Sequence, residues 1–205
     1  MTIFTVINTN DSGAGSLRQA ILDSNAAGGS NTIEFDAALI GQTITTISTL
    51  PVSVNAVIDG DITIEGGGVI SLIALDTADA DLTFEDVTLN HIATAAFVPA
   101  ISVTADNIVI TNQGFINATG PDAPFGFAAN DRTRAIDIDS NNVTVNNLLG
   151  ASIVTTGRVA VDATDFTNDL FTTVTNDGLI EGSDDGVRLT TGAVSYTHLM
   201  LPTKA

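Results

Sequence analysis

The sequence predicts an all-β fold, a parallel β-helix in which short coils stack into a solenoid, with a short capping α-helix near the N-terminus. Three observations lead to this class. Strand-like runs of Val, Ile, Leu and Thr recur at intervals of roughly 20 to 25 residues. Gly, Asn and Asp, which favour turns, separate these runs. A single helix-like stretch, residues 12–29, precedes almost all of them.

The repeats are clearest where aliphatic residues alternate with polar ones. Each copy holds two strands of period 2, and a third strand is predicted near residues 115–117, 151–154 and 179–181. Repeats this short cannot bury their apolar faces alone, so we expect copies to stack about 4.8 Å apart with equivalent strands in parallel sheets. The copies begin at Ala100, Ala135 and Val159, with a further turn at Gly186 and less regular copies at Gly60 and Asp81.

Asn recurs just past the second strand of the repeats. Asn tolerates the left-handed backbone of a sharp turn, and stacked Asn side chains can also form an amide ladder along a solenoid. Independent turn residues are the alternative interpretation. The positions concerned are Asn90, Asn112, Asn146 and Asn176.

The stretch "SGAGSLRQAILDSNAAGG" predicts a helix over about residues 16–27. Ser16 and Gln19 have the spacing of a capping box, and Gly28 stands where a helix C-terminal glycine would. Leu17, Ala20 and Ile21 form a short apolar stripe. So short a helix needs an apolar surface to lie on, and the first coil of a solenoid needs a cover. We therefore expect this helix to cap the β-helix.

Composition excludes several classes of function. The chain has 205 residues, 24 acidic and 6 basic, with a formal net charge of −18. Binding to nucleic acid needs a basic surface, so no nucleic-acid partner is expected. No apolar run approaches the roughly 18 residues of a membrane span, so no membrane insertion is expected in this segment. The chain has no Cys and hence no disulfide or thiolate metal site.

The last residues differ abruptly from the rest. Residues 194–205, "VSYTHLMLPTKA", contain the only Tyr and the only Lys of the chain. They are similar to the translated sequencing-adaptor peptide found at the ends of many metagenomic gene predictions, and we interpret them as a non-native tail. Residues 1–193 are then the N-terminal part of a β-helix that we expect to continue C-terminally in the natural protein.

Residues 4–45, "FTVINTNDSGAGSLRQAILDSNAAGGSNTIEFDAALIGQTIT", resemble the opening of large bacterial surface and secreted right-handed β-helix repeat proteins, whose pattern is "NTNDSGxGSLRxAI" followed by "TIxF". The resemblance implies right-handed winding and an extracellular or cell-surface location. That family includes adhesin-like and autotransporter-like proteins. The favoured hypothesis is a non-enzymatic, adhesin-like segment that binds glycans or cell surfaces.

The alternative is a β-helical lyase or hydrolase acting on acidic polysaccharide. Asp137 and Asp139 should share the outer face of one strand, because Ile136 and Ile138 take the inner one, and Asp162 should lie one coil away. Two close carboxylates are the pattern for acid–base chemistry on sugars. "GSDDGV" resembles an acidic turn of β-helical polygalacturonases, but the accompanying Gly-His-Gly and Arg-x-Lys elements are absent.

Binding and metal sites have few candidates. The insertion at residues 121–134 interrupts the repeat, and Phe125, Phe127, Arg132 and Arg134 in it predict a small glycan- or protein-binding patch, unless the loop folds back over the coils. Asp184 and Asp185 are the candidates for a calcium ion, the one cofactor considered. His91 is a lone histidine without further ligands around it in sequence. A third hypothesis, ice or mineral binding, rests on Thr43, Thr45 and Thr46 and needs Thr-x-Thr in successive coils.

Overall fold

The protein forms a parallel β-solenoid of about six turns, with one short helix near the N-terminus. The computed structural model describes residues 1–95, 98–120, 133–163 and 171–189. Every strand pairing among these residues is parallel. The all-β class predicted from the sequence is confirmed.

The elements follow one another in the order expected for coils of three strands. They are β1 (Thr2–Val6), α1 (Leu17–Ala27), β2 (Ser30–Phe35), a 3₁₀ turn (Ala37–Leu39), β3 (Thr43–Thr45), β4 (Leu50–Pro51), β5 (Asn55–Gly68), β6 (Ile73–Leu75), β7 (Leu82–Ala93), β8 (Ile101–Val103), β9 (Val109–Thr119), β10 (Arg134–Ile138), β11 (Val143–Asn147), β12 (Ser152–Thr155), β13 (Val159–Ala163), β14 (Thr172–Asn176), β15 (Leu179–Glu181) and β16 (Asp185–Leu189).

The strands make three faces. Register shifts divide the pairing of β7 with β5 and with β9 into a first and a second part. The first part of β5 also pairs with β2 and its second part with β3, whereas the first part of β9 pairs with β11 and its second part with β12. Face 1 contains β1, β2, the first parts of β5, β7 and β9, then β11 and β14. Face 2 contains β3, the second parts of the same three strands, then β12 and β15. Face 3 contains β4, β6, β8, β10, β13 and β16.

The core is a stack of aliphatic side chains at equivalent positions of successive coils. On face 3, Ile73 pairs with Ile101, Ile101 with Ile136, and Ile136 with Val161, and all four are fully buried. Burying a side chain of this size contributes roughly 1.5–3 kcal/mol. The copies that begin at Ala100 and Ala135 are therefore neighbouring coils, as the repeat pattern predicted.

Helix α1 covers one end of this core. Leu17 and Ile21 are buried, and the helix packs against β1, β2 and β4. The Ser16 hydroxyl accepts the Gln19 N–H at 3.2 Å, whereas the Gln19 side chain donates to Asp23 rather than closing a capping box. Gly28 ends the helix with a φ of 68°, a backbone conformation that glycine adopts readily.

Arg18 fastens the helix to the second coil. Its guanidinium donates to the carbonyl oxygens of Ser48 and Thr49 at 2.7 and 2.8 Å, and to Asp11 at 2.9 Å. Burial raises the pKa of Asp11. The hydrogen bonds from Arg18 and from the Ile47 N–H, together with the arginine charge, lower it by a larger amount, so the pKa of Asp11 lies below its usual value. Asp11 thus stays ionised as the partner that orients Arg18.

An asparagine ladder runs through three coils, but not through all the positions that the sequence suggested. Asn112 Nδ2 donates to Asn147 Oδ1 at 2.8 Å, and Asn147 Nδ2 donates to Asn176 Oδ1 at 2.8 Å. Asn146 lies on the opposite side of β11, beside Thr111 and Thr175. Asn90 donates to Glu65 instead. The ladder links three consecutive coils by side-chain hydrogen bonds at the corner between face 1 and face 2.

Candidate functional site

A group of neighbouring charged side chains, Arg134, Asp137, Asp162 and Arg188, lies on face 3. In β10, Ile136 and Ile138 point into the core, so the residue between them, Asp137, faces outward. The parallel register places Asp162 of β13 beside Asp137, and Arg188 of β16 beside Asp162. The sequence predicted that Asp137 faces outward and that Asp162 lies one coil away, and the structure has both features.

Arg134 bridges the two carboxylates. Its Nε donates to Asp162 Oδ2 at 2.7 Å, and its Nη1 donates to Asp137 Oδ2 at 3.0 Å. Arg188 Nη1 lies 4.0 Å from the same Asp162 oxygen. The Asp162 side chain is only 1% exposed and the Asp137 side chain 17%. Asp162 is therefore closed off by its arginine partners, whereas Asp137 retains contact with solvent.

The environment of Asp137 favours its neutral form. Burial raises the pKa of Asp137 to about 7; the nearby charge of Arg134 opposes this shift, and the charges of Asp139 and Asp162 add to it. A carboxyl group with a pKa near neutrality can hold a proton and give it up, which is the property of a general acid. Asp162 Oδ1 is buried and has no hydrogen-bond partner within the described part of the chain.

Asp139 and the two turn aspartates are placed differently. Asp139 follows β10, is exposed, and donates its N–H to the Val103 carbonyl at 2.9 Å. Asp184 forms an ion pair with Arg158, and Asp185 Oδ2 lies 3.4 Å from Arg188 Nε. Within the described ranges, no three His, Asp or Glu side chains are grouped so that they could hold a metal ion. The calcium site at Asp184 and Asp185 stays a prediction.

Three of the four residues of the predicted binding patch lie outside the described residues, namely Phe125, Phe127 and Arg132. The tail, residues 194–205, also lies outside them. Arg134 is described. It is the first residue of β10 and is buried in the bridge to Asp137 and Asp162. The sequence pattern does not indicate this bridge, because it places Arg134 in the loop.

His91 and the threonine rows also have clear positions. His91 is fully buried, with Nε2 3.2 Å from the Val98 carbonyl oxygen. Burial lowers the pKa of His91, although the hydrogen bond with Val98 acts in the opposite direction.

On face 2, Thr43, Thr63 and Thr88 form a column, but Thr45 is followed by Glu65 and Asn90 in the next two coils. The Thr-x-Thr pattern therefore does not repeat.

A cleft of about 240 Å³ lies between β1 and α1. Phe4, Ser16, Gln19 and Asp23 are among the residues that line it. Ser16 and Gln19 there serve the helix cap, and Gln19 and Asp23 hydrogen-bond to each other. The polar groups of this cleft are engaged in holding the helix.

Comparison of the chain with protein-family models, with curated proteins and with solved structures finds no match. Across the ranges that the structure describes, the helix found is too short to span a bilayer.

Proposed function

We propose that this chain is a non-enzymatic, adhesin-like segment of a secreted or cell-surface bacterial protein, which presents its outer faces to glycans or cell surfaces. One observation carries the proposal. On face 2 the pairing register runs without a shift through six coils, so its outward side chains form straight rows along the solenoid. A stacked solenoid of this kind provides an extended, rigid surface for binding.

The charged cluster on face 3 supports a structural role for Asp162. Arg134 binds both Asp137 and Asp162, and Asp162 is buried. An acid–base pair for sugar chemistry needs both carboxyl groups within reach of the substrate. A polysaccharide in contact with Asp137 could not reach Asp162, because Asp162 is buried and bound to Arg134. This favours the interpretation that the ion pair of Arg134 and Asp162 holds β10 and β13 of neighbouring coils together.

The cell-surface location rests on the resemblance of residues 4–45 to surface and secreted β-helix proteins. The high net negative charge is consistent with solubility in saline surroundings. An antibody raised against the full chain tests the location by labelling of intact source cells. Labelling only after the cells are permeabilised would contradict a surface location.

A glycan array probed with the full chain tests the proposed function. We expect binding to a subset of glycans without any change in their length. Incubation with the bound polysaccharide should release no new reducing ends and no unsaturated sugar that absorbs in the ultraviolet. Chain cleavage, or failure to bind any glycan or cell surface, would contradict the proposal.

A polysaccharide hydrolase or lyase is the second candidate, favoured by the raised pKa of Asp137 next to Asp162. In that function Asp137 would supply the proton to the leaving sugar oxygen. The test is cleavage of polygalacturonate by the wild type and by Asp137→Asn, with Asp61→Asn as the control at an exposed aspartate of β5, outside face 3. Cleavage that disappears in Asp137→Asn and persists in Asp61→Asn would support the enzyme; no cleavage by the wild type would exclude it for this substrate.

A further inference from the structure

Face 2 presents mainly uncharged polar and apolar side chains on its outer surface. Two of its outward columns hold twelve residues on six coils, and only Glu65 and Glu181 among them are charged. The first column is Thr43, Thr63, Thr88, Phe115, Ser152 and Leu179; the second is Thr45, Glu65, Asn90, Asn117, Val154 and Glu181. Face 1, by contrast, has Glu34, Asp59 and Glu85 in one column, and face 3 has the cluster described above. Ten of the twelve side chains in this strip are thus uncharged, on a chain of net charge −18.

An exposed aromatic side chain stands near the middle of this strip. Phe115 is 49% exposed, although it belongs to a well-paired part of β9. Thr88 lies beside it in the preceding coil and Ser152 in the following coil. Adjacent coils are about 4.8 Å apart, so the ring is flanked by hydroxyl groups on both sides along the solenoid axis.

Amide groups lie next to the ring in the second column. Asn117 stands two residues beyond Phe115 on the same side of β9, with Asn90 beside it in the preceding coil. Asn90 Nδ2 donates to Glu65 Oε2 at 3.0 Å, which orients its amide and engages the nearest carboxylate. Asn117 makes no side-chain hydrogen bond to the described part of the chain. An aromatic face with amides and hydroxyls around it offers both a stacking surface and hydrogen bonds.

We propose that face 2 binds a neutral polysaccharide, with one sugar ring stacked on Phe115 and its hydroxyl groups bonded to Asn117, Asn90 and Ser152. The inference rests on the proposed function and names its ligand class. The C–H groups on the flat face of a pyranose carry partial positive charge and complement the negative face of an aromatic ring. The overall charge of −18 repels anionic polymers. The hydroxyls and amides of the strip suit a ligand rich in hydroxyl groups and without charge.

Titration calorimetry of the full chain with cellohexaose tests this inference, because its equatorial substituents leave both sugar faces flat. We expect Phe115→Ala to weaken binding at least tenfold, equivalent to about 1.4 kcal/mol, and Phe115→Trp to retain it. Phe171→Ala is the matched control, since Phe171 is 63% exposed but lies in the turn before β14, away from face 2. Urea unfolding of each variant verifies that the fold is intact.

The outcomes separate this inference from the proposed function. Absence of cellohexaose binding by the wild type, or equal affinities of wild type and Phe115→Ala, overturns the inference while glycan binding on the array can still stand. Tighter binding of polygalacturonate than of cellohexaose overturns the charge argument. Failure on the array as well as in the calorimeter removes both proposals.

Discussion

Replacement of Asn147 by Ala should destabilise the solenoid strongly, because Asn147 is the middle rung of the asparagine ladder. The side chain is fully buried and makes three hydrogen bonds: one accepted from Asn112 at 2.8 Å, and two donated, to Asn176 Oδ1 at 2.8 Å and to the Leu179 carbonyl at 3.0 Å. At about 1 kcal/mol for each bond, the loss in free energy of unfolding is about 3 kcal/mol. For a chain of this size the melting temperature should fall by roughly 6–12 °C.

Urea unfolding followed by far-ultraviolet circular dichroism measures this loss. The midpoint should decrease while the slope of free energy against urea stays unchanged, since the same surface is exposed on unfolding. Asn146→Ala is the matched control, because Asn146 is adjacent in β11 but faces outward; its effect should stay within about 0.5 kcal/mol. If the two variants differ by less than that amount, the ladder does not stabilise the fold and the reasoning is refuted.

Three further predictions concern pH and packing. The folded-state pKa of Asp137 is about 7, so its ionised form opposes folding at higher pH, and this penalty is lost as the pH falls. Asp137→Asn should therefore be more stable than the wild type by roughly 1–2 kcal/mol at pH 8, but not at pH 4. Urea unfolding at the two pH values measures this difference. The lowered pKa of buried His91 acts in the opposite direction, because protonation of this histidine in the unfolded chain below about pH 6.5 lowers the stability of the wild type relative to His91→Asn. The difference in unfolding free energy between these two proteins should therefore shift against the wild type as the pH drops, and a difference that does not change with pH would contradict the role of His91. Gly114→Ala would place a Cβ 2.1 Å from the Val87 carbonyl oxygen; a loss of roughly 1–3 kcal/mol in thermal or urea unfolding is expected, and an unchanged midpoint would contradict the tight packing.

The solenoid could be predicted from the sequence because its signals are local and repeated. The alternation of Ile101 and Val103, and of Ile136 and Ile138, marks which side chains point inward, and the same alternation fixes which strands stack. The cap helix was predictable for the same reason, since its start at Ser16 and its end at Gly28 use side chains and backbone close in sequence. These features depend little on distant parts of the chain.

The ladder was predicted only in part and the arginine bridge was not predicted, because both depend on register between coils. Asn147 has the inward parity of Val143 and Val145, so strict alternation along β11 would have selected it over Asn146. The bridge from Arg134 to Asp162 joins residues 28 positions apart. Its detection requires the pairing of β10 with β13, which no local pattern gives. Phe115 was likewise placed in a strand by the sequence, whereas its exposure depends on its neighbours in other coils.

The in-register stack also governs how such a chain can change in length during evolution. Twenty-eight residues separate Leu82 from its partner Ile110, and thirty-five separate Ile110 from its partner Val145. Windings of unequal length therefore fit one lattice, because connecting segments absorb the difference. Insertions there leave the lattice intact, whereas the gain or loss of a single strand residue reverses inside and outside for the remainder of that strand. The solenoid is therefore expected to lengthen or shorten during evolution by whole coils.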